Sequence, residues 1–200
     1  MNKKKVPTDD TRFEGFATGL LRDHLNMMIT DKTEMVAKEG RSDISMSMIY
    51  LARGHGTLIF IMIAVPTTDV PAPAQVGAAM AAARETNGPP RLVVFGADAA
   101  MKVFDKDDRN DMYRGMQTRR GDLIRSIGKD PRVRECLTCS VYYLIGGELR
   151  SSSKVVPYDY VADKEVAFDW VASEELGREK AATGGAIDEV VRAAFAEGMS

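Results

Sequence analysis

Val133-Arg134-Glu135-Cys136-Leu137-Thr138-Cys139-Ser140-Val141-Tyr142-Tyr143-Leu144-Ile145 is the stretch that decides how this chain folds. Leu137, Cys139, Val141, Tyr143 and Ile145 fall on one side of a period of two, and Cys136, Thr138, Ser140 and Tyr142 on the other. Alternation over that length predicts a long β-strand. Gly146-Gly147 then turns the chain into a partner strand through Lys154–Tyr160. Pro157 has no N–H to give a ladder, so this partner is expected at an edge or at a bulge.

Working outward, Arg91–Phe95 reads as a third, buried strand, followed by a short helix over Ala97–Phe104 and a polar turn over Asp105–Asp111. A helical period from Met112 to Ile127 ends at Gly128 and Pro131. Upstream, Ile44, Met46 and Met48 alternate with Ser45 and Ser47 as in a strand with one buried face. After the turn residues Arg53-Gly54-His55-Gly56, Leu58–Ile63 is apolar on both faces, which predicts a hairpin whose second strand is central in its sheet. A helix over about residues 73–86, stopped by Asn87-Gly88-Pro89-Pro90, joins this hairpin to the third strand.

Residues 1–10 read as a flexible tail. Thr11 with Glu14 is a capping-box pattern. The helix it opens carries Phe13, Phe16, Ala17, Leu20, His24, Met27 and Met28 on one stripe and ends near Gly40. At the other end, Ile187, Val190, Val191, Ala194 and Phe195 place a last amphipathic helix within residues 184–198, closing the core. The expectation is a single α+β domain over 11–200. Its sheet is mixed and largely antiparallel, of about five strands: two hairpins plus one strand joined by a helical crossover. Amphipathic helices pack on that sheet. The element order resembles that of small bacterial and phage proteins and implies no particular activity.

Of the 200 residues, 44% are hydrophobic and 28% charged, which excludes a disordered chain. The net charge of −2 excludes a wholly basic nucleic-acid coat. Met1-Asn2-Lys3-Lys4-Lys5 is followed by Val6-Pro7-Thr8-Asp9-Asp10 with no apolar core, so it is no secretion signal. The longest apolar run, Thr57–Val65, falls far short of the ~20 residues of a spanning helix. These features point to a soluble cytoplasmic protein without membrane contact.

Candidate chemistry is sparse. Cys136 and Cys139 have CxxC spacing, but in a strand an offset of three sends the two sulfurs to opposite faces, and with only His24 and His55 in the chain no zinc site is expected. Ser151-Ser152-Ser153-Lys154 matches SxxK but lies between strands, without the partner motifs that chemistry requires. Asp105–Asp111 resembles the start of a calcium loop, yet has Asn110 where the loop needs Gly and Met116 where it needs Glu. His24, on the apolar stripe, reads as a core histidine. Arg53 and His55 in the hairpin turn, with Asp98 beyond the third strand, form a possible ligand site for an enzyme assembled from scattered residues. No metal or cofactor is expected.

Charge distribution is more informative. Residues 109–134 hold eight Lys/Arg against three Asp, and residues 161–200 hold nine Asp/Glu against four Lys/Arg. Arg114, Arg119, Arg120, Arg125, Lys129, Arg132 and Arg134 would make an anion- or nucleic-acid-binding strip. Alternatively they pair with the acidic C-terminal region, in the same subunit or a neighbour. The internal balance of charge favours pairing. The sequence therefore predicts a non-enzymatic interaction or assembly protein, working through a protein partner or by self-association as a homo-oligomer. Nucleic-acid or phosphorylated-ligand binding is the alternative, and an enzyme with a site not visible in sequence the second.

Overall fold

A computed structural model describes residues 6–7, 9–63, 72–102, 126–127, 129–178 and 186–196. Helix α1 (Asp10–Glu39) is a single helix of 30 residues. Its cap is Asp9, whose side chain accepts from the Arg12 N–H at 2.9 Å, two residues before the expected Thr11. Gly40, at φ +80°, ends it, its N–H reaching the Val36 carbonyl. The chain is anchored earlier than the expected tail boundary, for Val6 packs on the core and the Pro7 carbonyl accepts from Arg91. Then come β1 (Met46–Ala52), β2 (Ile59–Ile63), α2 (Ala72–Asn87) and β3 (Pro90–Lys102). They are followed by β4 (Val133–Ile145), β5 (Glu148–Ala162), β6 (Glu165–Phe168), α3 (Trp170–Arg178) and α4 (Ala186–Ala196).

The fold is α+β, as the sequence predicts. The described strands form one six-stranded sheet in the order β2-β1-β3-β4-β5-β6, with each neighbouring pair antiparallel. The expected helical crossover is α2, but it steps over a strand: β2 and β3 run the same way with β1 between them. The mixed sheet therefore gives way to a wholly antiparallel one among these strands. The sixth strand is β6, paired to β5 across the turn at Asp163-Lys164.

Two local expectations are corrected. The helix expected over Ala97–Phe104 is strand through Lys102, because β4 supplies an eleven-pair ladder from Leu92↔Tyr143 to Lys102↔Val133. Those hydrogen bonds outweigh the helix preference of Ala97, Ala99 and Ala100. Next, β2 is the outermost of the described strands, not a central one. Pro157, expected at an edge or at a bulge, lies just beyond the pairing of β5 with β6, which starts at Tyr158↔Phe168 and shifts register between Tyr160 and Ala162, and the ladder to β4 is uninterrupted. Its carbonyl accepts from Asp169 N–H at 2.8 Å on the outer side, and in a strand a residue's N and C=O point to the same side. The missing N–H is therefore never asked for by β4. The helix expected over Met112–Ile127 lies almost wholly outside the described residues.

Each face of the sheet carries its own core. On one, α1 buries Phe13, Ala17, Leu20, Leu21, Leu25 and Met28 against Leu92, Val94, Leu137, Cys139, Val141 and Tyr143. On the other, α2 and α4 cover Met46, Met48, Tyr50, Val93, Phe95 and Tyr142, with Val191 and Phe195 of α4 fully buried. Gly96 lets α1 settle onto β3: a Cβ there would strike Met28 Sδ and lie 2.8 Å from His24 Nε2. No helix among the described residues is long and apolar enough to cross a membrane.

Candidate functional site

The most strongly charged feature of the interior is a cluster under the C-terminal half of α1. The Lys32 side chain is fully buried and donates to Asp98 Oδ2 at 2.7 Å and to the Ser42 carbonyl at 2.6 Å. Its ammonium also stands over the rings of Tyr158 at 4.6 Å and Tyr160 at 5.3 Å. Asp98 Oδ1 accepts from the Tyr158 hydroxyl at 2.6 Å, and Oδ2 takes a further donor, Ile44 N–H, at 3.3 Å. Burial alone would lower the Lys32 pKa, but the charge and hydrogen bond of Asp98 outweigh it and raise it, so the ammonium persists. For Asp98, burial pushes the pKa up and Lys32 and Tyr158 pull it partly back. Three donors converge on it, from Lys32, Tyr158 and the Ile44 N–H. The cluster is closed to solvent and its groups satisfy one another. It holds α1, the Ser42–Ile44 connection, β3 and β5 together.

Asp98 thus has a place in the fold, but not the one suggested by sequence. Arg53 and His55 lie in the β1–β2 turn, where Arg53 donates to the Pro89 and Pro90 carbonyls and His55 is exposed. Asp98 is eight residues along β3 from Pro90, about 26 Å at roughly 3.3 Å per residue. The three do not assemble into one site.

His24 is buried, with Nε2 3.0 Å from the Ser47 hydroxyl and Nδ1 without a hydrogen-bond partner. Burial lowers its pKa to about 4, the Ser47 contact opposing this only in part. With nothing to orient Nδ1 and so low a basicity, the Ser47–His24 pair makes a poor general base near neutrality. Cys136 and Cys139 are both fully buried, and burial raises each thiol to about 12. Among the described residues no group of three His, Cys, Asp or Glu is placed to hold a metal.

Of the basic strip, Arg114, Arg119, Arg120 and Arg125 lie outside the described residues. Arg134 forms two ion pairs, to Asp159 and Asp169, each at 2.6 Å. Arg132 meets Asp130 at 3.1 Å, and Lys102 meets the same carboxylate at 3.3 Å. Lys129 lines a cleft of about 500 Å³ beside Arg41, Asp130, Arg134, Glu135 and Asp159. Its walls thus mix both signs of charge.

A feature not anticipated from sequence is the outer edge of β2. Ile59, Ile61 and Ile63 pack toward the α2 layer, while Phe60 and Met62 stand on the α1 side, 48% and 59% exposed. Natural edge strands are normally blunted by charge, proline or a bulge. Ile59-Phe60-Ile61-Met62-Ile63 carries no charge and no proline, and its register to β1 is regular from Ile59↔Tyr50 to Ile63↔Met46. At the opposite edge β6 has four residues, includes Glu165, and pairs through a register shift. Beside Met62 a groove of about 270 Å³ runs between α1 and β1, lined by Met28, Met35, Ile44 and Ser47 and overlooked by acidic residues of α1.

The chain matches no family model, no curated protein and no solved structure.

Proposed function

We propose that this chain is a non-enzymatic protein-interaction or assembly protein, cytoplasmic and soluble, that makes its contacts through the outer edge of β2. One observation carries the reading: a regular, uncharged strand at the edge of the described sheet, with Phe60 48% and Met62 59% exposed. Such an edge is a template for another chain, and it is retained when the pairing is used. The polar clusters support the same reading, since Lys32–Asp98–Tyr158 is sealed within the core and His24 is a weak base. Arg134, held by two carboxylates, has less to offer a phosphate backbone than a free guanidinium would.

The test is photo-crosslinking in cells, with benzoylphenylalanine replacing either Phe60 or the exposed His55. Position 60 should crosslink to one defined protein, another molecule of this chain or a different one, well above position 55. Equal or absent crosslinking at the two positions overturns the proposal.

A further inference from the structure

Resting on that reading, we infer that the β2 edge and the adjoining groove receive an extended segment of a different protein. This segment is apolar at alternate positions and flanked by Lys or Arg, and it adds to the sheet as a seventh strand.

Three observations on the α1 side of β2 define the occupant. The first is the edge itself: β2 pairs with β1 along one side, and half its N–H and C=O groups point away from β1. An added strand would satisfy them and, with its period of two, set alternate side chains beside Phe60 and Met62. The second is the size and chemistry of the groove. About 270 Å³ lies below the usual range for small-molecule sites but accommodates side chains. Met28, Met35 and Met62 line it, and their unbranched thioethers adapt to varied apolar partners.

The third observation is charge. Among the described residues that line the groove, Asp31, Glu34 and Glu39 stand against one cation, Lys38. Lys38 lies 3.9 Å from Glu34, which leaves the carboxylates of Asp31 and Glu39 in excess. Those carboxylates also argue against a second copy of this chain as the occupant. Two β2 edges paired about a two-fold axis perpendicular to the sheet would bring the α1 helices to the same face. Their acidic rows would then flank one junction and repel. A basic segment meets the same rows with attraction, and like-charged partners are rejected.

The experiment uses the full chain and two labelled peptides sharing an alternating Val-Thr-Val-Thr-Val core, one flanked by paired lysines and the other by paired glutamates. Fluorescence anisotropy should show the Lys-flanked peptide binding about tenfold more tightly. Amide NMR shifts should centre on residues 59–63. The double variant Asp31→Lys, Glu39→Lys changes only exposed residues and should reverse the preference. N-methylating alternate core residues of the lysine peptide leaves its charge intact but removes donors, and should abolish binding. Equal affinity for the two peptides, no binding of either, or undiminished binding of the N-methylated form overturns the inference. Phe60 crosslinking to a second copy also overturns it while leaving the proposed function standing. Loss of crosslinking at position 60 removes both.

Discussion

Replacing Lys32 with Met tests what holds α1 in place. Methionine fills most of the space of the lysine stem, so the cost is mainly electrostatic. The change removes the hydrogen bonds to Asp98 and the Ser42 carbonyl and leaves a carboxylate, 5% exposed, with only Tyr158 and Ile44 as donors. Stripping one partner from a buried ion pair costs about 3–5 kcal/mol, a large share of the ~5–15 kcal/mol that domains possess. The stranded Asp98 can relieve this by taking up a proton. The burial that already raises its pKa then acts unopposed by the ammonium. The folded variant therefore holds that proton more tightly than the unfolded chain, and the deficit should shrink by up to about 1.4 kcal/mol per unit as pH falls from 7 toward 5. Lys32→Met combined with Asp98→Asn removes both charges and keeps an acceptor for the Tyr158 hydroxyl. It should recover about 2 kcal/mol of the single-variant loss. Urea unfolding at pH 7 and pH 5 gives all these values. A single-variant cost below about 1 kcal/mol, or a double variant losing the sum of its parts, would refute the account of Lys32 as a buried ion-pair anchor.

Further outcomes follow from the same interior. Because His24 is neutral in the fold, its contribution to stability is complete above its ordinary pKa of 6.5 and is lost as pH falls toward about 4. Wild type should thus lose about 2 kcal/mol more than His24→Gln between pH 7 and pH 5, measured as the difference in unfolding free energy. Equal pH slopes would contradict the buried, uncharged imidazole. Gly96→Val should lower stability by about 1–3 kcal/mol or more in thermal unfolding, because Met28 and His24 must yield. Cys136 and Cys139 should resist a thiol-specific reagent in the native protein and react fully once it is denatured. Rapid native labelling of either would show the core to be open there.

The elements that were legible in sequence are those whose pattern is set by their own two faces. The β4 alternation put Leu137, Cys139, Val141 and Tyr143 on the α1 side, where they are buried, and the stripe of α4 places Val191 and Phe195 in the opposite core. What escaped depends on distant neighbours. Leu58–Ile63 is apolar on both faces, which locally signals a central strand, yet only the arrival of β3 on the far side of β1 decides that β2 is left outside. Ala97–Lys102 has helix-forming alanines and becomes strand because β4 is long enough to pair with it. The Lys32–Asp98 pair spans 66 residues, but part of its signal was present: Lys32 continues the spacing His24, Met28, Lys32, Val36 and so sits on the apolar stripe. A lysine there demands a buried acid. For β6 and α3, the readable sign was Asp169, whose side chain caps α3 through Ala172 N–H.

The seating of α1 on β4 also sets an order of events at the ribosome. Cys139 Sγ donates to the Leu21 carbonyl across 118 residues of chain. At roughly 5–20 residues per second, the greasy flank of the first helix waits about 6–24 s for the strand that completes its cover. During that interval the nascent protein shows surfaces that an aggregating neighbour or a chaperone can reach.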